Sequence, residues 1–257
     1  MRRIVAIGGG GFMMEDGPSL LDDYVVGLAA VRRPRICFIP TASGDGEDAL
    51  EKFYRAFARF PAELSHLAFF RKPRPGAIAL GAFERALAEQ DVIYVGGGNT
   101  RSMLAVWREW GVPQALRNAA ANGALLAGVS AGAICWFEWG ASDSAAPGTQ
   151  SAPLRCLGFV KGSCSPHWGG EVHRRREFHA MVRRGDVPAG YGLSDGAALL
   201  FEDGRLTEAV ATASSAAAFR VECIGDRLCE TSLALRRLAP ASSPFTAPLS
   251  LRERGRG

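Results

Sequence analysis

Ser130 has a glycine two residues before it and another two after it, in Gly128-Val129-Ser130-Ala131-Gly132, and the apolar run Ala124-Leu125-Leu126-Ala127 leads into it. A serine presented at a strand-to-helix turn needs small residues at those two positions, because side chains there would crowd the strained turn. The chemistry such a turn supports is that of a nucleophile elbow, whose hydroxyl attacks a carbonyl. The alternative is a glycine-rich turn whose serine only caps the next helix. A pattern this short also arises by chance, so the other groups of such a site must be sought in the same chain.

A serine nucleophile working near neutral pH needs a base, and imidazole is the side chain that titrates there. The histidines are His66, His167, His173 and His179. His167 follows Pro166 at the end of an expected strand, where a loop can aim the ring at the serine. His173 and His179 lie in a basic helical segment that reads as solvated surface, and His66, between Ser65 and Leu67, reads as structural. Two glycine-rich turns complete the inventory. Gly96-Gly97-Gly98-Asn99-Thr100 offers backbone amides at a helix start, an arrangement suited to an oxyanion, although it also reads as a tight connection capped by Asn99 or Thr100. Gly8-Gly9-Gly10-Gly11 could cradle a phosphate, but no helix follows promptly and the dinucleotide fingerprint is not met.

The elements that must position these residues alternate between short β-rich runs and helical patterns, which predicts an α/β fold: a doubly wound, mostly parallel sheet with helices on both faces. Strands are expected at Arg3–Ile7, Arg35–Pro40, Leu64–Phe69, Val92–Val95, the run before Ser130, and Gly158–Lys161. Paired strands are expected over Tyr191–Leu193, Ala197–Phe201 and Thr207–Val210. Helices are expected at Glu47–Phe60, Ala82–Glu89, Thr100–Trp107, Pro113–Ala121, from Ala131 through Phe137, and at Arg174–Arg183. In such sheets, sites gather at the carboxyl ends of the strands. From Ala239 onward the composition turns to Pro, Ser, Thr and Arg, so the expected organisation is one domain over residues 1–238 and a disordered tail over 239–257.

The 257 residues are 47% hydrophobic and 22% charged, enough for one substantial core. A formal net charge of +4, with three arginines among the last six residues, gives no nucleic-acid or membrane signal. The six cysteines include no C-x-x-C pair, which argues against zinc and against a disulfide framework. No leading segment resembles a signal peptide, so the expected compartment is the cytoplasm.

Three motifs together carry a family resemblance: Tyr94-Val95-Gly96-Gly97-Gly98-Asn99-Thr100, Gly128-Val129-Ser130-Ala131-Gly132-Ala133 and Ser165-Pro166-His167. In this order and at this spacing, across some 70 residues, the chain resembles peptidase E, the serine peptidase family that also takes in cyanophycinase. Less distinctive similarity runs from Arg3 to about Val221, and Cys135-Trp136-Phe137-Glu138 resembles a segment of uncharacterised peptidase E-like members. The resemblance implies the fold of class I glutamine amidotransferases, with serine in place of their nucleophilic cysteine. It implies Ser130 as nucleophile and His167 as base, with the amides of Ala131 and Gly98 at the oxyanion and Asn99 at the substrate.

For the acid that orients His167, the resemblance gives two answers. Peptidase E places an aspartate after the nucleophile helix, where this chain has Asp143, whereas cyanophycinase uses a glutamate beyond the histidine, at the position of Asp195. Asp195 is favoured, at the tip of an expected hairpin from which a carboxylate can reach the far ring nitrogen. Glu138 is a third candidate, on a helix expected to point it away. Either aspartate could instead be an ordinary turn residue. Similar peptidase E enzymes cleave dipeptides with an N-terminal aspartate, which requires a fixed cation. In His173-Arg174-Arg175-Arg176 the candidate is Arg174, able to clamp a carboxylate, unless the run is a solvated helix face. The expected activity is therefore that of a serine exopeptidase on small peptides, an aspartyl dipeptidase among the options, with no metal or organic cofactor. The alternatives are a cyanophycinase-like peptidase and a catalytically silent binding module, and the resemblance also implies a homodimer.

Overall fold

The computed structural model describes residues 1–145, 150–170 and 173–240. Five strands, β1 (Arg3–Ile7), β2 (Arg35–Ile39), β3 (Glu63–His66), β4 (Val92–Val95) and β5 (Leu125–Val129), run parallel in the spatial order β1-β5-β4-β2-β3. Their connections carry helices α1 (Leu20–Gly27), α2 (Glu47–Phe57), α3 (Phe83–Ala88), α4 (Thr100–Trp110) and α5 (Val112–Ala121), and a short helix α6 (Ala131–Ile134) follows β5. Both faces of this sheet are covered, so β1, β2, β4 and β5 read as nearly continuous apolar runs, whereas the outermost strand β3 is Glu63-Leu64-Ser65-His66. Ile4 and Ala6 of β1 belong to one core cluster, shared with α4 and α5, while Val5 and Ile7 belong to the other, shared with α1 and α2. Within that second cluster Phe12 sits edge-on to Phe38, Phe57 and Tyr94, with ring centroids 5.2 to 5.4 Å apart. Such contacts add about 0.5–1.5 kcal/mol each beyond simple burial, and they anchor the chain just after its four-glycine run.

Beyond α6 the chain builds a second sheet. Strands β6 (Phe137–Ser142), β7 (Ala152–Arg155), β8 (Val160–Ser165) and, after helix α7 (Arg174–Arg184), β9 (Gly190–Leu193) lie in it. The chain then returns to the first sheet, where β10 (Ala197–Glu202) pairs antiparallel with β1 and β11 (Arg205–Ala211) pairs with β10. Strands β12 (Ala218–Ile224) and β13 (Arg227–Ser232) go back to the second sheet, and β14 (Arg236–Arg237) ends against β11. The spatial orders are β14-β11-β10-β1-β5-β4-β2-β3 and β13-β12-β9-β8-β6-β7.

The α/β class and the parallel centre are as expected from sequence, and both sheets are antiparallel in part. Two expectations need correction. The strands at Tyr191–Leu193 and Ala197–Phe201 do not pair with each other, because β9 belongs to one sheet and β10 to the other, so residues 194–196 form a crossover and not a hairpin tip. The helix expected from Ala131 through Phe137 stops at Ile134, and Phe137 already opens a strand that pairs with β8. Of the expected tail, residues 241–257 lie outside the described residues. Among the described residues no helix is long and apolar enough to cross a membrane, and no His, Cys, Asp or Glu side chains form a group of three that could hold a metal ion.

Candidate active site

Ser130 sits between β5 and α6 with φ 55° and ψ −111°, a backbone conformation that costs a non-glycine residue about 1–3 kcal/mol. The neighbouring glycines explain how the turn closes. A β-carbon on Gly128 would run into the carbonyl of Gly132, and one on Gly132 would run into the carbonyl of Val95. The turn is then tied down by the Ser130 N–H, which donates to the Ile7 carbonyl at 3.0 Å, and by the Ser130 carbonyl, which accepts from Ala133 and Ile134. The hydroxyl does not cap α6, so the capping alternative fails.

The hydroxyl faces His167 instead. Ser165 ends β8, and two residues on His167 takes φ 55°, which turns its ring back across the end of the first sheet. Its Nε2 lies 2.9 Å from Ser130 Oγ and its Nδ1 lies 2.7 Å from Asp195 Oδ1. Asp195 occupies the crossover between β9 and β10, and the hydrogen bond from His167 holds its carboxyl below the usual carboxylate range. An ionised Asp195 requires the ring proton on Nδ1, leaving the Nε2 lone pair to accept the serine proton. The imidazole is largely covered, with 18% of its side chain exposed.

Asp143, just after β6, does not reach His167 and pairs with Arg174 at 3.3 Å. Arg174 is not on a solvated face: its side chain is 5% exposed, and it also donates to the Ala141 carbonyl at 3.5 Å. Glu138 lies on strand β6 and not on a helix, and its carboxylate accepts the Gly162 N–H at 2.9 Å. Asn99 caps α4 by accepting from the Ser102 N–H, while its amide donates to the Ser144 carbonyl, both at 2.9 Å. Gly98 takes φ 135°, and a β-carbon there would strike the Ala42 carbonyl; Gly97 packs against Ser130, where a β-carbon would lie 3.4 Å from the serine Cβ. Ala131 is the first residue of α6. His179 is not simply solvated either, since its Nε2 lies 2.6 Å from Glu230.

Gly9 is the contact that the sequence argument missed. A β-carbon there would overlap the Asp195 carboxylate and lie 3.0 Å from His167 Cε1. The signal is the glycine run after β1, which from sequence alone reads only as a possible phosphate loop.

The model of peptidase family S51 matches residues 4–209. The chain belongs to peptidase family S51. This S51 peptidase is 43% identical over 238 residues to the Bacillus subtilis (strain 168) protein named Uncharacterized peptidase YgaJ, covering 93% of this chain and 100% of that one. Among solved structures it resembles a peptidase from an acI-B1 Actinobacterium, with TM-score 0.65 and 16% identity over 91% of this chain and 97% of that one. A putative peptidase E protein from Listeria monocytogenes EGD-e superposes with TM-score 0.55 at 18% identity, covering 91% and 100%. At such identities the two structures speak for the fold alone, and the family assignment rests on the sequence matches.

Proposed function

We propose that this S51 peptidase is a serine exopeptidase that hydrolyses short peptides through an acyl-enzyme on Ser130. The observation that carries this reading is the continuous hydrogen-bonded series from Ser130 Oγ through His167 to Asp195. In the first half-reaction Oγ attacks the scissile carbonyl carbon while its proton passes to His167 Nε2. The C–N bond then breaks and the leaving amine takes that proton. Asp195 holds the imidazole in the required tautomer and stabilises it when charged. In the second half-reaction His167 takes a proton from water, whose oxygen attacks the acyl carbon; the bond from that carbon to Oγ then breaks, and the proton passes from His167 to Oγ, restoring Ser130. The amides of Ala131 and Gly98 are the donors we assign to the developing oxyanion. This cycle uses protein groups and water alone.

An aspartyl preference would need a cation free to meet a substrate carboxylate. Arg174 is shared with Asp143 in a covered position, so an incoming carboxylate would have to compete for it. We therefore read the substrate as a short peptide without requiring aspartate at its N-terminus. The six cysteines are free thiols, which fits a reducing compartment such as the cytoplasm. A fluorophosphonate should label Ser130 in the intact protein, with Ser130→Ala abolishing both labelling and dipeptide hydrolysis while the circular dichroism stays unchanged. Labelling that persists in the alanine variant, or that falls on Cys135, would refute the assignment. A dipeptide panel containing Asp-X members decides the preference.

A further inference from the structure

The run Gly8-Gly9-Gly10-Gly11 takes no part in the chemistry above, yet it forms the surface on which that chemistry is seated. The Gly8 N–H donates to the Ala197 carbonyl at 3.0 Å and the Gly9 carbonyl accepts the Gly196 N–H at 2.8 Å, so the run is stitched to the crossover that carries Asp195. Between those two bonds, Gly9 packs on the Asp195 carboxylate and the His167 ring. Gly10 and Gly11 then adopt φ 108° and 65° and turn the backbone so that the next amides point inward. Two acids receive them. The Gly11 N–H donates to Glu15 Oε1 and the Phe12 N–H donates to Asp22 Oδ2, both at 2.8 Å.

The Asp22 link is the deeper one. Asp22 lies on α1 and is 1% exposed. A β-carbon on Gly11 would be 3.0 Å from its Oδ1 and 3.1 Å from the Tyr94 hydroxyl, which places both oxygens directly beneath the glycine run. Among the described residues, neither of those two buried oxygens has a hydrogen-bond partner. A carboxylate in that setting is costly, and burial pushes the Asp22 carboxyl up to about 7. The groups that act on it are Glu15 and Asp23, which raise it, and the Phe12 amide and Arg59, which lower it. Neither charge state gives up the bond from Phe12, since Oδ2 accepts in both.

We propose that Asp22 is a positioning residue for the Asp195–His167 pair, fixing through the Phe12 amide the glycine run against which that pair is held. The inference rests on the serine-peptidase reading, and its test separates the two. Fluorophosphonate labelling is followed by rate at saturating probe, by the probe concentration giving half that rate, and by end-point stoichiometry. Asp22→Ala should slow the saturated rate roughly 10- to 100-fold, the size expected of a small misplacement of catalytic groups, with half-saturation and end-point unchanged. Asp22→Asn, whose Oδ1 can still accept the Phe12 N–H, should keep the rate within about threefold.

A wild-type rate in Asp22→Ala, a loss accounted for wholly by a lower end-point, or equal losses in the two variants would each overturn the proposal. Should the alanine variant not fold, Asp22→Thr serves in its place. Its side chain is polar but stops short of the Phe12 amide, and the same slowing is expected. An unlabelled wild type would instead refute the Ser130 reading itself, and the positioning role with it.

Discussion

Gly9 and Asp195 are so close that the β-carbon of any other residue at position 9 would overlap the carboxylate that is hydrogen-bonded to His167. Gly9→Ala should therefore push the carboxylate off Nδ1 and lower kcat by about 100-fold or more, with the secondary structure retained. Gly17→Ala, at a position where an added β-carbon meets nothing within 4 Å, is the matched control and should leave activity unchanged. Equal activity in both variants would show that the contact does not matter to the reaction.

Asp195→Asn should reduce kcat on the order of 10⁴-fold, the loss expected when a triad carboxylate becomes an amide and the imidazole tautomer is no longer fixed. Asp143→Asn should act on stability instead, because it weakens the partner of the buried Arg174. Urea unfolding should show a loss of about 1–3 kcal/mol while kcat falls by less than about tenfold. The opposite pattern would give the acid's role to Asp143, as the peptidase E resemblance allows.

The stability of the protein should carry the signature of Asp22. Its carboxyl has an ordinary value of 3.8 and is raised to about 7 in the fold, so between those values the folded state binds more protons than the unfolded state. Stability must then fall as pH rises across that window and level off above it. Asp22→Asn removes the titration, so it should unfold at the same urea concentration as wild type near pH 4. By pH 8 it should be more stable than wild type, by up to about 4 kcal/mol. A stability difference that does not change with pH would exclude the shift.

A chain ending at Pro240 should keep both activity and melting temperature, since the composition of residues 241–257 offers little apolar surface to bury. Ending it at Leu235 should cost about 2 kcal/mol or more. That deletion removes β14, the buried Leu238 whose N–H donates to the Ala211 carbonyl, and the bond from Arg236 to Glu208. Thermal melting of the two truncations compares them directly.

The parallel half of the fold was legible because β1 and β4, at Arg3–Ile7 and Val92–Val95, are short apolar runs ended by glycines, a pattern local to the chain. The second sheet was not. Ala131 to Phe137 is uniformly small or apolar, and nothing local marks the point after Ile134 where helix gives way to a strand that pairs with β8. Ser130 and His167 could be found as residue types at suggestive positions. Asp195 stands at the position the cyanophycinase resemblance implies, but the hairpin expected to present it does not exist; it reaches the imidazole because the chain changes sheets there. Arg174 shows why charge alone misleads: within His173-Arg174-Arg175-Arg176 one residue is buried against Asp143 while Arg175 reaches the surface and pairs with Glu230. Asp22 offered no signal at all, since the group it bonds is the backbone amide of Phe12.

Ser130 comes from the first sheet, His167 from the second, and Asp195 from the stretch that joins β9 in one to β10 in the other. Neither sheet alone holds more than a fragment of the constellation. On the proposed mechanism, a copy with the parallel strands formed but β8 and β9 undocked would have an isolated hydroxyl of ordinary reactivity and should be inert toward peptides. The appearance of activity during refolding should accordingly require both sheets to be docked, and should not precede the signals from their strands.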